Sequence, residues 1–269
     1  MPLHTLGNPW DITGENNSGY GKIIATRGNS RWQASEGPEV IYRNGYYYLF
    51  LAYGTLAVEY NTRVCRSVNI DGPYVDMDGT PAMGSGELYP ILTAPYLFNN
   101  SYGWVGISHC GIFEDGEGNW FYTSQGRFPA NVGGNEYSNA IMMGHVRSIR
   151  WDANGWPLVM PERYGAVPQV PITEEEIAGN WEHLSLTSST STQRTSETLT
   201  FDAGTHKISS GSWKDASWTF DAASQTITTS AGVVLYLQRE VDWEATPRTH
   251  TIVYAAQGNK KTYWGKKVQ

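Results

Sequence analysis

Cysteine is scarce. Two residues, Cys65 and Cys110, exclude a disulfide framework and a multi-cysteine zinc site, and nothing in the sequence requires them to pair. Charge is scarce as well, at 17% of residues, with 19 Lys and Arg against 26 Asp and Glu for a net charge of −7. That composition excludes a polyelectrolyte tail. It also argues against a binder of phosphate backbones, which needs a basic face, so no nucleic-acid partner is expected. No apolar run approaches the roughly 18 residues of a membrane helix, so no membrane partner is expected. The opening MPLHTLGNPW has neither a charged n-region nor an apolar h-region, which predicts no signal peptide on this chain. A phosphate-binding Gly-Lys loop, a nucleophile elbow, a His-Glu-x-x-His zinc helix and a dinucleotide fingerprint are all missing. Before residue 170 there is no convincing helical period.

What the 269 residues do contain is aromatic rings and glycine: 11 Trp, 17 Tyr and 29 Gly. Aromatics separated by Gly-rich turns are typical of all-β folds with many tight connections. Most of these rings are expected in the core and in cross-strand pairs, and any left exposed would suit stacking on sugar faces. Residues 39–52 read as a hairpin about Asn44-Gly45, the pair preferred where both turn positions need positive φ. Residues 61–68 read as a strand. The segments 111–125 and 145–159 repeat the hairpin theme, the second about Asn154-Gly155. A short strand is expected near Lys22 to Ala25. At 168–172 (PQVPI) the composition shifts. Thr173 and Glu176 then fit a capping box on a helix kept short by Gly179. From residue 181 the chain reads as β again and rich in Ser and Thr, and residues 173–269 are expected to form a separate small β domain.

Few residues suggest chemistry on their own. Glu36 stands in Ala34-Ser35-Glu36-Gly37-Pro38, where Gly and Pro fix the backbone ahead of aromatic strands. A carboxyl group held at such a strand mouth suits general-acid work, whereas spacing alone favours a solvated loop. Glu39, three residues on in an extended chain, is expected on the opposite face. His109 in Gly106-Ile107-Ser108-His109-Cys110-Gly111 reads by itself as a structural histidine. Asp76-Met77-Asp78-Gly79 looks like part of a calcium loop but lacks its distant Glu and its helices, so a turn is expected there, as at Asp115–Gly118.

Four segments in order carry a resemblance: EGPEVIYRNGYYYLFLAYG, YNTRVCRSVNIDGPYVDMDG, GWVGISHCGIFEDGEGNWFY and HVRSIRWDANGWPLVMPERY. Together they resemble the later blades of glycoside hydrolase family 43, and among its members the endo-α-1,5-L-arabinanases. Residues 173–269, which end in Trp264-Gly265-Lys266-Lys267, are similar to the C-terminal accessory β domain of one branch of these enzymes. The resemblance implies an all-β fold: about three blades of a five-bladed propeller over residues 1–167, then a small barrel or sandwich over 168–269. It implies inverting hydrolysis of arabinan or a related pectic oligosaccharide, with a Glu acid, an Asp base and a second, orienting Asp.

Residue by residue, the resemblance places the general acid at Glu36, in the Glu-Gly-Pro motif. The histidine beside an axial calcium or other ion falls at His109, followed here by Cys110-Gly111 where the family has Asn-Ser. A substrate-lining arginine falls at Arg127. Neither Asp motif is found, and the surroundings of Asp11 match neither. The expected partner is therefore an N-terminal propeller fragment or a second copy of the chain, with Glu59, Asp71 and Glu87 as the carboxylates otherwise at hand. A secreted or periplasmic address is implied for the complete enzyme. The alternative is a protein that holds arabinan or pectic polysaccharide without cutting it.

Overall fold

A computed structural model describes residues 22–26, 35–84, 87–98, 101–187 and 191–268. The first sheet is an antiparallel meander of β1 (Ser35–Arg43), β2 (Tyr46–Tyr53), β3 (Asn61–Ser67) and β4 (Ile91–Thr93). Asn44 and Gly45 both take positive φ, 47° and 87°, and close the β1–β2 hairpin as their sequence predicts. After the short β5 (Tyr96–Leu97), a second meander follows: β6 (Gly111–Glu114), β7 (Trp120–Gly126), β8 (Met143–Trp151) and β9 (Pro157–Val159). Two four-stranded blades are thus complete among the described residues. Their facing sides bury Tyr48, Phe50, Val64, Ile112, Tyr122 and Trp156 in one cluster. The strand expected at Lys22 to Ala25 is a single bridge, Thr26 to Met83, and Asp11 lies outside the described residues.

Helix α1 (Glu174–Ile177) carries the expected capping box, with the Thr173 N–H donating to Glu176 Oε2 at 2.9 Å. Eight strands then form a barrel: β10 (Gly179–Leu186), β12 (Glu197–Asp202), β13 (Lys207–Ile208), β14 (Trp218–Asp221), β15 (Thr226–Thr229), β16 (Val233–Asp242), β17 (Thr249–Gly258) and β18 (Lys261–Lys267). β18 returns to β10, and an antiparallel bridge from Lys207 to Ser217 closes the circuit. Closure removes the open edge that an isolated sheet would present. The remaining strand, β11 (Arg194–Thr195), leaves the barrel to pair in parallel with β5. No helix among the described residues is long and apolar enough to cross a membrane.

Alternation along β18 shows how the barrel is fixed to the blades. Tyr263 points into the barrel core with Trp181, Phe201 and Tyr254. Trp264 points out, into a second core made jointly by Ile91, Tyr96, Trp104 and Leu158 of the blades and Leu184 and Val253 of the barrel. Its Nε1–H donates to the Val159 carbonyl at 2.8 Å. Gly265 points in, where a Cβ would stand 2.0 Å from the Tyr254 ring, so only glycine fits. Lys266 points out again, 2% exposed, with Nζ 2.7 Å from Glu244, 2.9 Å from Asp242 and 3.2 Å from Glu162. Lys267 points in and donates to the Glu176 carbonyl at the end of α1.

Burial alone would strip the Lys266 proton, but the charges of Glu162 and Glu244 overcome it and hold the ammonium. Burial, then the charge of Glu244 and a hydrogen bond to it, push the Glu162 carboxyl above the usual carboxylate range. Glu162, Asp242 and Glu244 converge closely enough to hold a metal ion, but the Lys266 ammonium already sits among them. Leaving such a network without its cation costs about 3–5 kcal/mol.

A second buried carboxyl lies on the same junction. Glu240 of β16 is fully buried and accepts hydrogen bonds from the Gly165 N–H at 3.0 Å and Gln238 Nε2 at 3.2 Å. Burial pushes its pKa up from 4.5 to about 7. The folded state therefore holds a proton that the unfolded chain loses between these values. The stability contributed by protonated Glu240 is complete below pH 4.5 and fades as pH rises through 7. At about 1.4 kcal/mol per unit, the span is on the order of 3 kcal/mol. Urea unfolding should show Glu240→Gln losing less stability than the wild type between pH 4.5 and 7.5. Parallel pH profiles would contradict this account.

Candidate active site

Glu36 lies at the start of β1, where the strand bulges. Glu36 pairs with Ala52 and Glu39 with Phe50, so Gly37 and Pro38 on β1 oppose Leu51 alone on β2. The expectation that Glu39 faces away from Glu36 is therefore corrected: the extra residue turns both carboxylates to the same face. Gly37 absorbs the bulge at φ +54°. A Cβ there would lie 2.9 Å from His109 Cδ2, so glycine lets β1 rest against the imidazole. His109 itself has φ +58°.

The third member is Tyr60, which sequence reading missed. It directly precedes β3 and is 1% exposed. Its hydroxyl donates to Glu36 Oε1 and lies 3.1 Å from His109 Nδ1, while Glu36 and His109 stand 4.0 Å apart. A phenol has one proton. With that proton directed at Glu36, His109 Nδ1 is placed to donate to the phenol oxygen. Burial, then the Glu36 bond and charge, push the Tyr60 pKa up, so the phenol stays a donor. Glu36 is 60% exposed at its side chain and reachable by a substrate. No sequence spacing links residues 36, 60 and 109, which meet only because adjacent strands and blades pack.

A buried hydroxyl network anchors this trio. Thr62 Oγ1 lies 2.7 Å from both Ser108 Oγ and Tyr122 Oη, and Ser108 donates to the Asn61 carbonyl at 3.0 Å. Thr93 donates to the Ile107 carbonyl at 2.7 Å. Strands β3, β4 and β7 are thereby tied to the loop that carries His109. Cys110, next to His109, is buried and free, its thiol raised to about 12 by burial and then by the charge of Glu39.

Arg127 directly follows β7, on a separate loop that bridges to the one carrying His109. Its backbone pairs with Val105, and its stem crosses Gly106, where a Cβ would stand 3.0 Å from Arg127 Cγ. Among the described residues it makes no hydrogen bond or ion pair to Glu36 or His109. Of the other carboxylates, Asp71 pairs with Lys22, Glu87 with the buried Arg63, and Glu59 accepts from Thr55. Asp76 is the turn residue expected, accepting from the N–H groups of Asp78, Thr80 and Tyr89. His145 is a core residue, driven neutral to about 2 by burial and then by Arg147 and Arg163. The calcium expected beside His109 meets a single imidazole, and no three ligand side chains converge there among the described residues. Calcium takes 6–8 oxygens, so the described residues do not by themselves fit it.

With this geometry in place, two family models match end to end: "Glycosyl hydrolases family 43" over residues 5–157 and a "C-terminal lipocalin-like domain" over residues 161–265. The chain belongs to glycosyl hydrolase family 43. It is 31% identical over 185 residues to the extracellular endo-α-(1→5)-L-arabinanase 2 of Bacillus subtilis, covering 61% of this chain and 37% of that protein. It is 30% identical over 185 residues to the extracellular endo-α-(1→5)-L-arabinanase of Thermotoga petrophila, covering 62% of this chain and 37% of that one. The solved endo-1,5-α-L-arabinanase of Thermotoga petrophila in complex with TRIS superposes over 93% of this chain and 58% of its own, with a TM-score of 0.79 at 24% identity. The matched region is thus 37% of the length of these curated relatives.

The contact between Gly37 and His109 gives a direct test. Gly37→Ala should lower stability by about 1–2 kcal/mol for the left-handed backbone, plus the cost of displacing His109. Gly45→Ala is the control, since Gly45 also has positive φ but meets nothing within 4 Å. In urea, Gly37→Ala should lose more than Gly45→Ala, and equal losses would contradict the contact.

Proposed function

We propose that this chain supplies the acid half of an inverting hydrolase acting on α-1,5-linked L-arabinan. The observation that supports it is the solvent-facing Glu36 carboxyl, held by Tyr60 and backed by His109, in the sheets of a family 43 protein. The named activity of the two arabinanases supports the substrate. Their description as extracellular supports a secreted or periplasmic address.

In this reading Glu36 gives its proton to the glycosidic oxygen as the bond to the anomeric carbon breaks. A base activates a water that attacks that carbon from the opposite face. Acid and base then stand about 6.5–9.5 Å apart, leaving room for the water. Tyr60 fixes the Glu36 rotamer, and in turn holds the His109 ring. Arg127 lines the cleft from the loop after β7. The base is supplied by family sequence outside the region matched here.

Glu36→Gln keeps size and hydrogen bonding but cannot deliver the proton. In the assembled protein it should lower reducing-sugar release from linear arabinan by at least about 100-fold, the usual scale of general-acid catalysis. Binding of an arabino-oligosaccharide should change little. Turnover at the wild-type rate would remove Glu36 from the mechanism. Normal binding with no turnover in either protein would favour a binding protein.

A further inference from the structure

A groove of about 660 Å³ separates the β6–β9 blade from the barrel. None of Glu36, Tyr60, His109 or Arg127 lines it. On the blade side stand Trp120 and Trp151, half-buried and edge to face with ring centroids 5.5 Å apart. The Arg43 guanidinium lies 4.0 Å from the centre of the Trp151 ring. The Trp151 indole N–H is buried without a hydrogen-bond partner among the described residues. At the rim Tyr164 is 42% exposed and meets Phe121 edge-on at 4.9 Å. Facing these rings are amide and hydroxyl side chains, Ser224 and Gln238 of the barrel among them.

We propose that this groove is a second polysaccharide-binding site, remote from Glu36, that holds an arabinan chain without cutting it. The reasoning is chemical. A furanose ring offers an apolar C–H surface that covers an aromatic ring and hydroxyls that bond amides, side-chain hydroxyls and guanidinium groups. The groove wall offers both kinds of partner side by side. Arg43 and Glu36 occupy opposite ends of β1, seven residues apart, so the two sites are separated by about 23 Å along the strand. A polymer can span that distance, whereas a short oligosaccharide occupies one site at a time. Holding the polymer at the groove raises its effective concentration at the acid site without any new contact there. The choice of arabinan rests on the function proposed above, while the groove's role as a sugar site does not.

The test is affinity electrophoresis in gels cast with linear arabinan, alongside kinetics on arabinan and on arabinotriose. Tyr164→Ala removes the rim ring. Val170→Arg fills the groove from a residue that is 62% exposed, so it leaves the fold intact. Both variants should lose most of the wild-type retardation, while Glu36→Gln keeps it. In the assembled protein both should raise KM on arabinan several-fold and leave kcat and KM on arabinotriose unchanged. Wild-type retardation in both groove variants would overturn the proposal. So would a wild type that gels of arabinan do not retard. Reducing-sugar release by that same wild type then shows whether the hydrolase reading survives. Retardation by xylan but not arabinan, lost in Tyr164→Ala, would keep the site and overturn the ligand.

Discussion

The blades and the barrel share one buried core, and the rest of the structure depends on it. Trp264 leaves the barrel wall to pack with Tyr96, Trp104 and Leu158, and Lys266 follows it into a carboxylate cluster drawn from both sides. An isolated barrel would leave both side chains in water. A blade pair without the barrel would expose the apolar surface that Trp264 covers, a face large enough to drive association. The Lys266 ammonium, set among Glu162, Asp242 and Glu244, makes this contact directional as well as apolar. The barrel is thus a structural wall of the blade assembly.

That rigidity reaches the acid site through hydroxyls. Thr93 sits two residues from Ile91 of the shared core, and the Ile107 carbonyl that it binds lies two residues before His109. Ser108 and Thr62 continue the chain of contacts to β3, directly after Tyr60. The Glu36 carboxyl is therefore open to solvent on one side and braced by Tyr60 on the other. An acid that must meet one oxygen of a polymer needs this combination, since a freely rotating carboxyl loses the benefit of orientation.

Much of this was legible in the sequence, for local reasons. Asn44-Gly45 demands its turn, Thr173 and Glu176 demand a capping box, and Asp76 demands an Asx-type turn, because each involves groups within a few residues. The Glu-Gly-Pro motif singled out Glu36, and the structure sets it beside Tyr60 and His109. The bulge that puts Glu39 on the Glu36 face was not legible, because strand alternation assumes regular pairing and only the partner strand reveals the extra residue. Tyr60 was not legible either, one tyrosine among 17 whose partners lie 24 and 49 residues away. The Trp264-Gly265-Lys266-Lys267 segment could be matched to a family but not explained, since two of its side chains act across a domain contact.

The central claim is that Glu36 is the acid of an arabinan-cleaving site whose base comes from family sequence beyond the region matched here. The most direct measurement is reducing-sugar release from linear arabinan by the 269-residue chain, alone and mixed with the N-terminal portion of a family 43 arabinanase. The account predicts release in the mixture and none from either piece alone. Release by the 269-residue chain alone would show that it carries its own base. Silence in the mixture would contradict an acid half that is complete in this chain.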